Sequence, residues 1–147
     1  MSITPYSLNH RSPPAVNEAV AKSMRGNKAK DTKPELTLRK ALRNHGLSGY
    51  RLHWKKAPGR PDVCYPGRRL AIFVHGCYWH RCPHCKLGLP KRNQEFWKEK
   101  FERNRNRDER KEKNLRSEGW RVLVLWECQI KSDIEGCLKR VKEQWSK

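Results

Sequence analysis

Apolar residues are distributed along the chain in two patterns, a helical repeat and short continuous runs, and each predicts a different element. In the stretch that starts at Thr32, Leu36, Leu38 and Leu42 recur at helical spacing, and Gly46 follows them. Thr32 is a candidate N-cap, and a glycine after the last periodic residue is a typical stop signal. We therefore predict a helix between Thr32 and Gly46.

Short apolar runs bounded by turn residues predict four strands. The runs are "GYRLHW" (49–54), "RPDVCY" (60–65), "RRLAIFVHG" (68–76) and "WRVLVLWE" (120–127). The first alternates like a half-buried strand, whereas the third and fourth are continuously apolar and indicate buried strands. Pro58-Gly59 and Pro66-Gly67 are the turn signals between the first three.

Two further helices are predicted in the second half of the chain. One is long and charged, from Gln94 to Ser117, and ends before Gly119; the other is a terminal amphipathic helix that starts at the candidate cap Ser132. Residues 76–92 are rich in Cys, His, Pro and Gly and are predicted to form a loop. The order αβββαβα indicates an α/β fold, a mixed sheet flanked by helices.

The chain is predicted to form one domain preceded by an arm. Residues 1–23 contain Pro13-Pro14 and scattered polar and basic residues, which indicates a flexible basic arm with at most a short helix over 16–24. Residues 24–147 are enough for one core but not two. No apolar run approaches the roughly 20 residues of a membrane span, and the first residues do not resemble a secretory signal, so we expect a cytoplasmic protein.

The charge of the chain favours an anionic polymer as partner. Lys and Arg total 34 against 15 Asp and Glu, a formal net charge of +19, and the basic residues occur in every segment. Such a field attracts nucleic acid first and an anionic membrane surface second.

Four cysteines are candidate ligands for zinc. Cys77, Cys82 and Cys85 have the spacing C-x4-C-x2-C, and Cys128 follows the second buried strand. In a reducing compartment such spacing indicates a metal rather than disulfides, and structural zinc takes four Cys or His ligands. His84 is an alternative ligand to Cys82. Cys64 and Cys137 lack partners at ligand spacing and are interpreted as core residues.

A second candidate site lies at the end of the central strand. Asp62 begins a strand that hairpins with the strand ending at Val74 and His75, so these groups are expected at one end of the sheet. A carboxylate and a backbone carbonyl suit Mg²⁺. The loop that follows could return His80 to the same place, where an imidazole can deprotonate water. Each signal alone is weak, because isolated Asp and His residues are usually structural.

Several segments, in order, resemble the very short patch repair (Vsr) mismatch endonucleases. They are "MRGNKAKDTKPELTLRKALRNHGL", "PGRPDV", "FVHGCYWHRC", "EFWKEK" and "GWRVLVLWEC", within residues 24–130. The resemblance implies a restriction-endonuclease-like fold and a nick at the thymine of a T:G mismatch, the lesion left by deamination of 5-methylcytosine. The implied products carry a 5′ phosphate and a 3′ hydroxyl, and the implied partner is double-stranded DNA, bound by a monomer in the bacterial nucleoid.

The resemblance also assigns roles to individual residues. Asp62 and the Val74 carbonyl would hold Mg²⁺, His80 would act as the general base, and His75 would assist at the phosphate. Glu35 matches a glutamate that orients the histidine at the position of His80. An ordinary acid in the first turn of a helix is the alternative interpretation of Glu35.

Further residues match family side chains that contact DNA. Tyr78, Trp79 and Trp97 match aromatic residues that wedge into the duplex from the major groove, and Met24 matches one that inserts from the minor groove. The alternative for Trp97 is packing of its helix onto the core, which is the interpretation preferred for Phe96. Two more positions match DNA contacts, Lys100 and Asn104, although solvated side chains are the default in so charged a helix.

The sequence departs from the family pattern at two positions. Family members often have a histidine near the position of Cys82, and phenylalanine is common at the position of Tyr78. Two other functions remain open at this point, a restriction-type endonuclease of the same fold and a non-catalytic zinc-containing DNA-binding module.

Overall fold

The computed structural model describes residues 31–85 and 87–147. The predicted arm over 1–23, the predicted short helix at its end and Met24 lie outside the described residues. The elements are, in chain order, α1 (Lys33–Asn44), β1 (Arg51–Leu52), β2 (Val63–Tyr65), a 3₁₀ turn (Pro66–Arg68), β3 (Leu70–His75), α2 (Cys77–His80), α3 (Gln94–Ser117), β4 (Arg121–Trp126), α4 (Glu127–Ser132) and α5 (Ile134–Trp145).

Helix α1 starts where the sequence predicts. The Thr32 hydroxyl accepts the Glu35 backbone N–H while the Glu35 carboxylate accepts the Thr32 backbone N–H, which is a capping box. Leu38 and Leu42 are fully buried, whereas Leu36 is 50% exposed. Leu36 is two residues from Leu38 and so lies nearly opposite it on the helix, which makes its assignment to the buried repeat wrong.

The four strands form one mixed sheet, as predicted. The strand order is β1-β2-β3-β4, with antiparallel pairing at the first two contacts and parallel pairing between β3 and β4. Strand β1 has two residues instead of the predicted six because His53 adopts a positive φ of 46°, which turns the chain away from the sheet.

The alternation of side chains along β3 decides which residues face the site. Leu70, Ile72 and Val74 pack against α1, α4 and α5 in the larger core. The alternate residues Ala71 and Phe73 face the opposite side of the sheet. They belong to a second core that includes Leu115 of α3. His75 continues this second face, so the sheet directs it towards α3.

Two features near the predicted loop and the C-terminal helix differ from the prediction. The one-turn helix α2 lies inside the segment predicted as a loop. Ser132 ends α4, and the cap of α5 is Asp133, whose carboxylate accepts the Gly136 N–H at 3.0 Å. The prediction of Ser132 as the cap was therefore wrong, because the chain turns once more before α5 begins. Within the described ranges, no helix combines the length and apolar character that a membrane span requires.

Candidate active site and metal centre

Four thiols converge at the N-terminal ends of two short helices. The sulfur atoms of Cys77, Cys82, Cys85 and Cys128 all lie within 4.8 Å of one another. Cys77 begins α2, and Cys128 lies in the first turn of α4, directly after β4. The cluster therefore joins the loop after β3 to the end of the neighbouring strand β4.

Backbone N–H groups donate to two sulfur atoms of this cluster, Cys77 and Cys82. The Cys128 N–H donates to the Cys77 sulfur at 3.3 Å. Burial opposes ionisation of Cys82, but the N–H groups of His84 and Cys85 help to hold the pKa of its thiol below the usual value. Four converging thiols, two of them with backbone N–H donors, form a set that fits a thiophilic cation. His84 is exposed and is not part of the cluster.

The second site is a pair of stacked imidazoles with a carboxylate. The rings of His75 and His80 are nearly parallel, 4° apart in orientation, with centroids separated by 4.1 Å. Nδ1 of His80 lies 2.5 Å from the carboxylate of Asp108 on α3. All three side chains are buried, and they line an open pocket of about 330 Å³ together with Arg81 and Arg105.

The protonation states in this pocket follow from burial and contact. Burial, with the neighbouring His80, lowers the pKa of His75 to about 3, so His75 is neutral at pH 7. Burial opposes ionisation of Asp108, yet its hydrogen bond to His80 keeps its pKa below the usual value. An ionised Asp108 accepts a hydrogen bond from Nδ1–H of His80, which leaves the lone pair of that imidazole on Nε2.

Asp108 is a site residue that sequence reasoning missed. It lies on the buried stripe of α3, which also contains Trp97, Phe101, Asn104 and Leu115. A carboxylate at helical spacing from apolar residues was the signal that could have revealed it. Nδ1 of His80 contacts Asp108, and the orienting role expected of Glu35 stays a prediction.

Asp62 lies beside the end of β3, where the predicted hairpin of its strand with β3 would bring it. Its Oδ2 atom accepts the Val74 backbone N–H at 2.7 Å, one residue from His75. Burial and the neighbouring Glu35 raise the pKa of Asp62 to about 7. Two buried carboxyl groups that repel each other are an arrangement that a bound cation would stabilise.

Glu35 belongs to a separate polar cluster beside Asp62. Its carboxylate contacts Arg39 at 3.2 Å and His53 at 3.3 Å, and Arg39 also contacts Asp31 at 2.8 Å. Burial lowers the pKa of His53 despite the opposing effect of Glu35. His53 lies between Glu35 and Asp62 and was not singled out from the sequence.

The predicted DNA-wedge residues form an aromatic cluster on α2 and α3. Trp79 and Trp97 are 7% and 4% exposed and pack with Phe101, while Tyr78 is half-buried. Trp97 thus packs its helix onto neighbouring residues, the alternative considered above. Phe96, for which core packing was preferred, is only partly buried at the edge of this cluster.

Lys100 and Asn104 are buried, not solvated as their charged helix suggests. Their exposures are 2% and 6%, and burial lowers the pKa of Lys100 to about 8. The Asn104 amide donates to the Trp79 carbonyl at 3.2 Å. Asn104 therefore connects α3 to the helix that carries His80.

Comparison with known proteins identifies relatives that are named as mismatch endonucleases or nicking enzymes. Residues 16–87 match the family model described as "DNA mismatch endonuclease Vsr". The chain is 46% identical over 116 residues to the type II nicking enzyme V.XorIIP of Xanthomonas oryzae pv. oryzae, a match that covers 78% of this chain and 83% of the relative. It is 38% identical over 104 residues to the type II nicking enzyme V.NmeAIP of Neisseria meningitidis, covering 71% and 74%.

A third relative is the DNA mismatch endonuclease Vsr of Escherichia coli. The identity is 41% over 112 residues, which covers 76% of this chain and 70% of the relative. These matches extend well beyond the short motifs around the histidines and cysteines. The chain belongs to the Vsr family of DNA endonucleases.

Proposed function

We propose that the protein is a Mg²⁺-dependent endonuclease that nicks one strand of a duplex 5′ to the thymine of a T:G mismatch and so starts very short patch repair. The observation that carries the proposal is the buried His75–His80–Asp108 group in an open pocket, in a chain whose relatives are named as nicking and mismatch endonucleases. The mixed sheet and its helices are consistent with a restriction-endonuclease-like fold in a monomer that acts on DNA in the cytoplasm.

The four-thiol cluster is proposed to hold structural zinc. Four thiolate ligands complete a tetrahedral site and leave no position for water, so such a metal stabilises the fold and does not take part in hydrolysis. The zinc site would hold the loop that begins with α2, and α2 carries His80 at its last position.

The imidazole pair is proposed to perform the proton transfers. With its Nδ1–H in a hydrogen bond to Asp108, His80 can take a proton from water through Nε2 while the water oxygen forms a bond to phosphorus. The bond from phosphorus to the 3′ oxygen breaks, that oxygen takes up a proton from solvent water, and the products are a 5′ phosphate and a 3′ hydroxyl. His75 is neutral and can donate its N–H to a phosphate oxygen as negative charge develops there.

Asp62 and the Val74 carbonyl are proposed to hold Mg²⁺ beside the imidazoles. The hydrogen bond from Val74 N–H occupies Oδ2 of Asp62 and leaves Oδ1 as the ligand atom. A divalent cation at this place would neutralise charge on the phosphate. Glu35 is 3% exposed and repels a negative charge on Asp62, which raises the pKa of Asp62. A cation at this place would also relieve that repulsion.

Recognition of the mismatch is proposed to use the aromatic cluster. Insertion of Tyr78, Trp79 and Trp97 into DNA requires the two buried tryptophans to leave their contacts with Phe101. Unstacking of a base step costs a few kcal/mol and costs less at a mispair, so insertion favours T:G sites. Met24 would insert from the opposite groove, while Lys100 and Asn104 would contact the DNA next to the aromatic residues.

The proposal is tested with end-labelled duplexes that differ only in one base pair, T:G or C:G. We expect Mg²⁺-dependent cleavage of the T strand at T:G alone, with Asp62→Ala inactive but still bound to the mismatch. Cleavage of both strands, or equal cleavage of C:G, would favour a restriction-type nuclease. Unchanged nicking by Asp62→Ala would contradict its assignment, and mismatch binding by the wild type without any cleavage would indicate a DNA-binding module.

A further inference from the structure

Arg39 occupies the centre of a group of potential metal ligands. One ligand atom each from Asp31, Glu35 and His53 lies within 4.8 Å of the others. The Nη2 atom of Arg39 is 2.8 Å from Asp31, 3.2 Å from Glu35 and 3.2 Å from Nε2 of His53. The guanidinium, on a residue that is 6% exposed, therefore takes the place that a metal ion would need among these three groups.

The contacts of Nε2 favour one tautomer of His53. The guanidinium of Arg39, 3.2 Å from Nε2, donates hydrogen bonds and accepts none. Glu35 Oε1 lies 3.3 Å from the same Nε2 but already accepts from Arg39, so a lone pair on Nε2 is the state that suits Arg39. The single imidazole proton is then on Nδ1. That atom lies 3.7 Å from Oδ1 of Asp62, the carboxylate oxygen that does not bind Val74.

The backbone of His53 is directed towards the same residue. Its N–H donates to the Asp62 carbonyl at 3.3 Å. The positive φ of 46° turns the chain so that the ring enters the space between Glu35 and Asp62. Residues other than Gly, Asn, Asp and His rarely adopt this conformation.

We propose that Arg39 and His53 are a positioning pair that orients the Asp62 carboxylate: Arg39 acts as a built-in cation for Glu35 and His53, and His53 directs its Nδ1–H to Oδ1 of Asp62. The inference rests on the proposed function in one respect, that Asp62 is the Mg²⁺ ligand. Neither residue touches the reacting atoms, and both act through Asp62.

If the proposal holds, the Asp62 carboxylate is already oriented for the cation before the cation binds. Asp62 is held on one oxygen by the Val74 N–H and faces the His53 ring with the other. Without the ring, the carboxylate loses this neighbour and can rotate about its hydrogen bond to the Val74 N–H. Groups that orient metal ligands typically change metal affinity or activity by about 10- to 100-fold when they are removed.

Two substitutions at His53 separate positioning from a general loss of structure. His53→Gly removes the ring and tolerates the positive φ, whereas His53→Asn also tolerates it and keeps an amide N–H close to the Nδ1 position. Each zinc-loaded variant is titrated with Mn²⁺ in the absence of DNA and followed by electron paramagnetic resonance. The Mg²⁺ dependence of nicking and the Tm are measured on the same samples.

We expect His53→Gly to weaken Mn²⁺ binding by about 10- to 100-fold and His53→Asn to recover most of the affinity. The Mg²⁺ concentration for half-maximal nicking should change in parallel, with mismatch binding unchanged. Wild-type Mn²⁺ affinity in His53→Gly would overturn the proposal. A fall in Tm and mismatch binding in both variants, without recovery by His53→Asn, would also overturn it, because the role of His53 would be structural.

The tautomer gives a test that needs no metal and no DNA. In the wild type, ¹⁵N chemical shifts of the His53 ring should show a protonated Nδ1 and an unprotonated Nε2. Arg39→Met should remove this preference. The reverse tautomer in the wild type would overturn the proposal. If Asp62→Ala binds Mn²⁺ like the wild type, the cation assignment of the proposed function fails, while the Nδ1–H tautomer would still support the orientation of Asp62 by His53.

Discussion

The thiol cluster and the imidazole pocket are built on the same one-turn helix but have opposite designs. Cys77 at the start of α2 joins three other thiols in a set that one ion would complete. His80 at the end of α2 enters a pocket of about 330 Å³ with mixed partners and room for a ligand. Under the proposed function, a metal ion would anchor one end of the helix, and the other end would present the general base.

The comparison explains the interleaved cysteines and histidines of the sequence "HGCYWHRC". A helical turn points successive side chains in different directions, so cysteines and histidines that alternate in the sequence reach different sites. A closed set of identical ligands restricts the backbone, whereas an open set of different groups can exchange protons with a substrate. The two sites are therefore expected to fail differently when they are mutated.

Loss of a cluster thiol should have the largest effect. We expect Cys128→Ala to lose bound zinc and to lower the Tm by roughly 10 °C or more, because the loop after β3 loses its connection to β4. Nicking and mismatch binding should fall together. Zinc content and thermal unfolding are the measurements.

The matched control is Cys137→Ala, which removes a buried thiol outside the cluster. It should retain one zinc per chain and lose stability only by the cost of a small cavity. Zinc retained at full stoichiometry by Cys128→Ala would show that the cluster is not the metal centre.

Loss of the carboxylate in the pocket should affect the rate alone. We expect Asp108→Asn to reduce the single-turnover nicking rate by about 10²-fold or more, because His80 loses the partner that keeps its proton on Nδ1. Zinc content and mismatch binding should remain. Glu109→Gln removes the same charge from the exposed neighbour at the pocket rim and should nick at close to the wild-type rate. Equal losses in the two variants would indicate a general charge effect.

Asp62 should make the stability of the protein depend on pH when Mg²⁺ is absent. Burial and the neighbouring Glu35 raise the pKa of its carboxyl from the usual 3.8 to about 7 in the fold, so folding favours the protonated form. The free energy of unfolding should therefore decline as pH rises from about 4 to about 7, by a few kcal/mol at most.

The substitution Asp62→Asn removes this dependence and keeps an oxygen to accept the Val74 N–H. The Tm of the variant should exceed that of the wild type by an amount that grows between pH 4 and pH 8. A constant difference across this range would show that Asp62 ionises in the fold as easily as in the unfolded chain.

The smallest effect is expected far from both sites. Asp133→Ala removes the cap of α5 and should cost about 1 kcal/mol of stability, with zinc content and nicking unchanged. Ser132→Ala should cost less, because the Ser132 hydroxyl only donates back to the Cys128 carbonyl within α4. Chemical denaturation of both variants measures the difference.

Much of the fold followed from the sequence because local signals and packing agree. The bounds predicted for α3, Gln94 to Ser117, are confirmed, since one continuous charged stretch is followed by a glycine. The buried run at β3 is confirmed because both faces of that strand are covered. The cap of α5 was wrong, since Ser132 and Asp133 are both good caps and only the extra turn of α4 decides between them.

Less of the candidate site could be predicted, because its contacts join distant segments. The spacing of the cysteines suggested a common ligand set, but nothing local relates Asp108 to a residue 28 positions earlier. The burial of Lys100 depends on the packing of α3, which a uniformly charged sequence conceals. His53 looked like one member of an alternating strand, and its positive φ becomes visible only in the fold.

The most direct test of the account is a comparison of zinc content, mismatch binding and nicking in His80→Ala. If α2 is anchored by the thiols and reactive at His80, the variant will retain one zinc, bind a T:G duplex like the wild type and nick it about 10²- to 10⁴-fold more slowly. Nicking at the wild-type rate, or a loss of zinc that accompanies the loss of activity, would contradict the separation of the two sites.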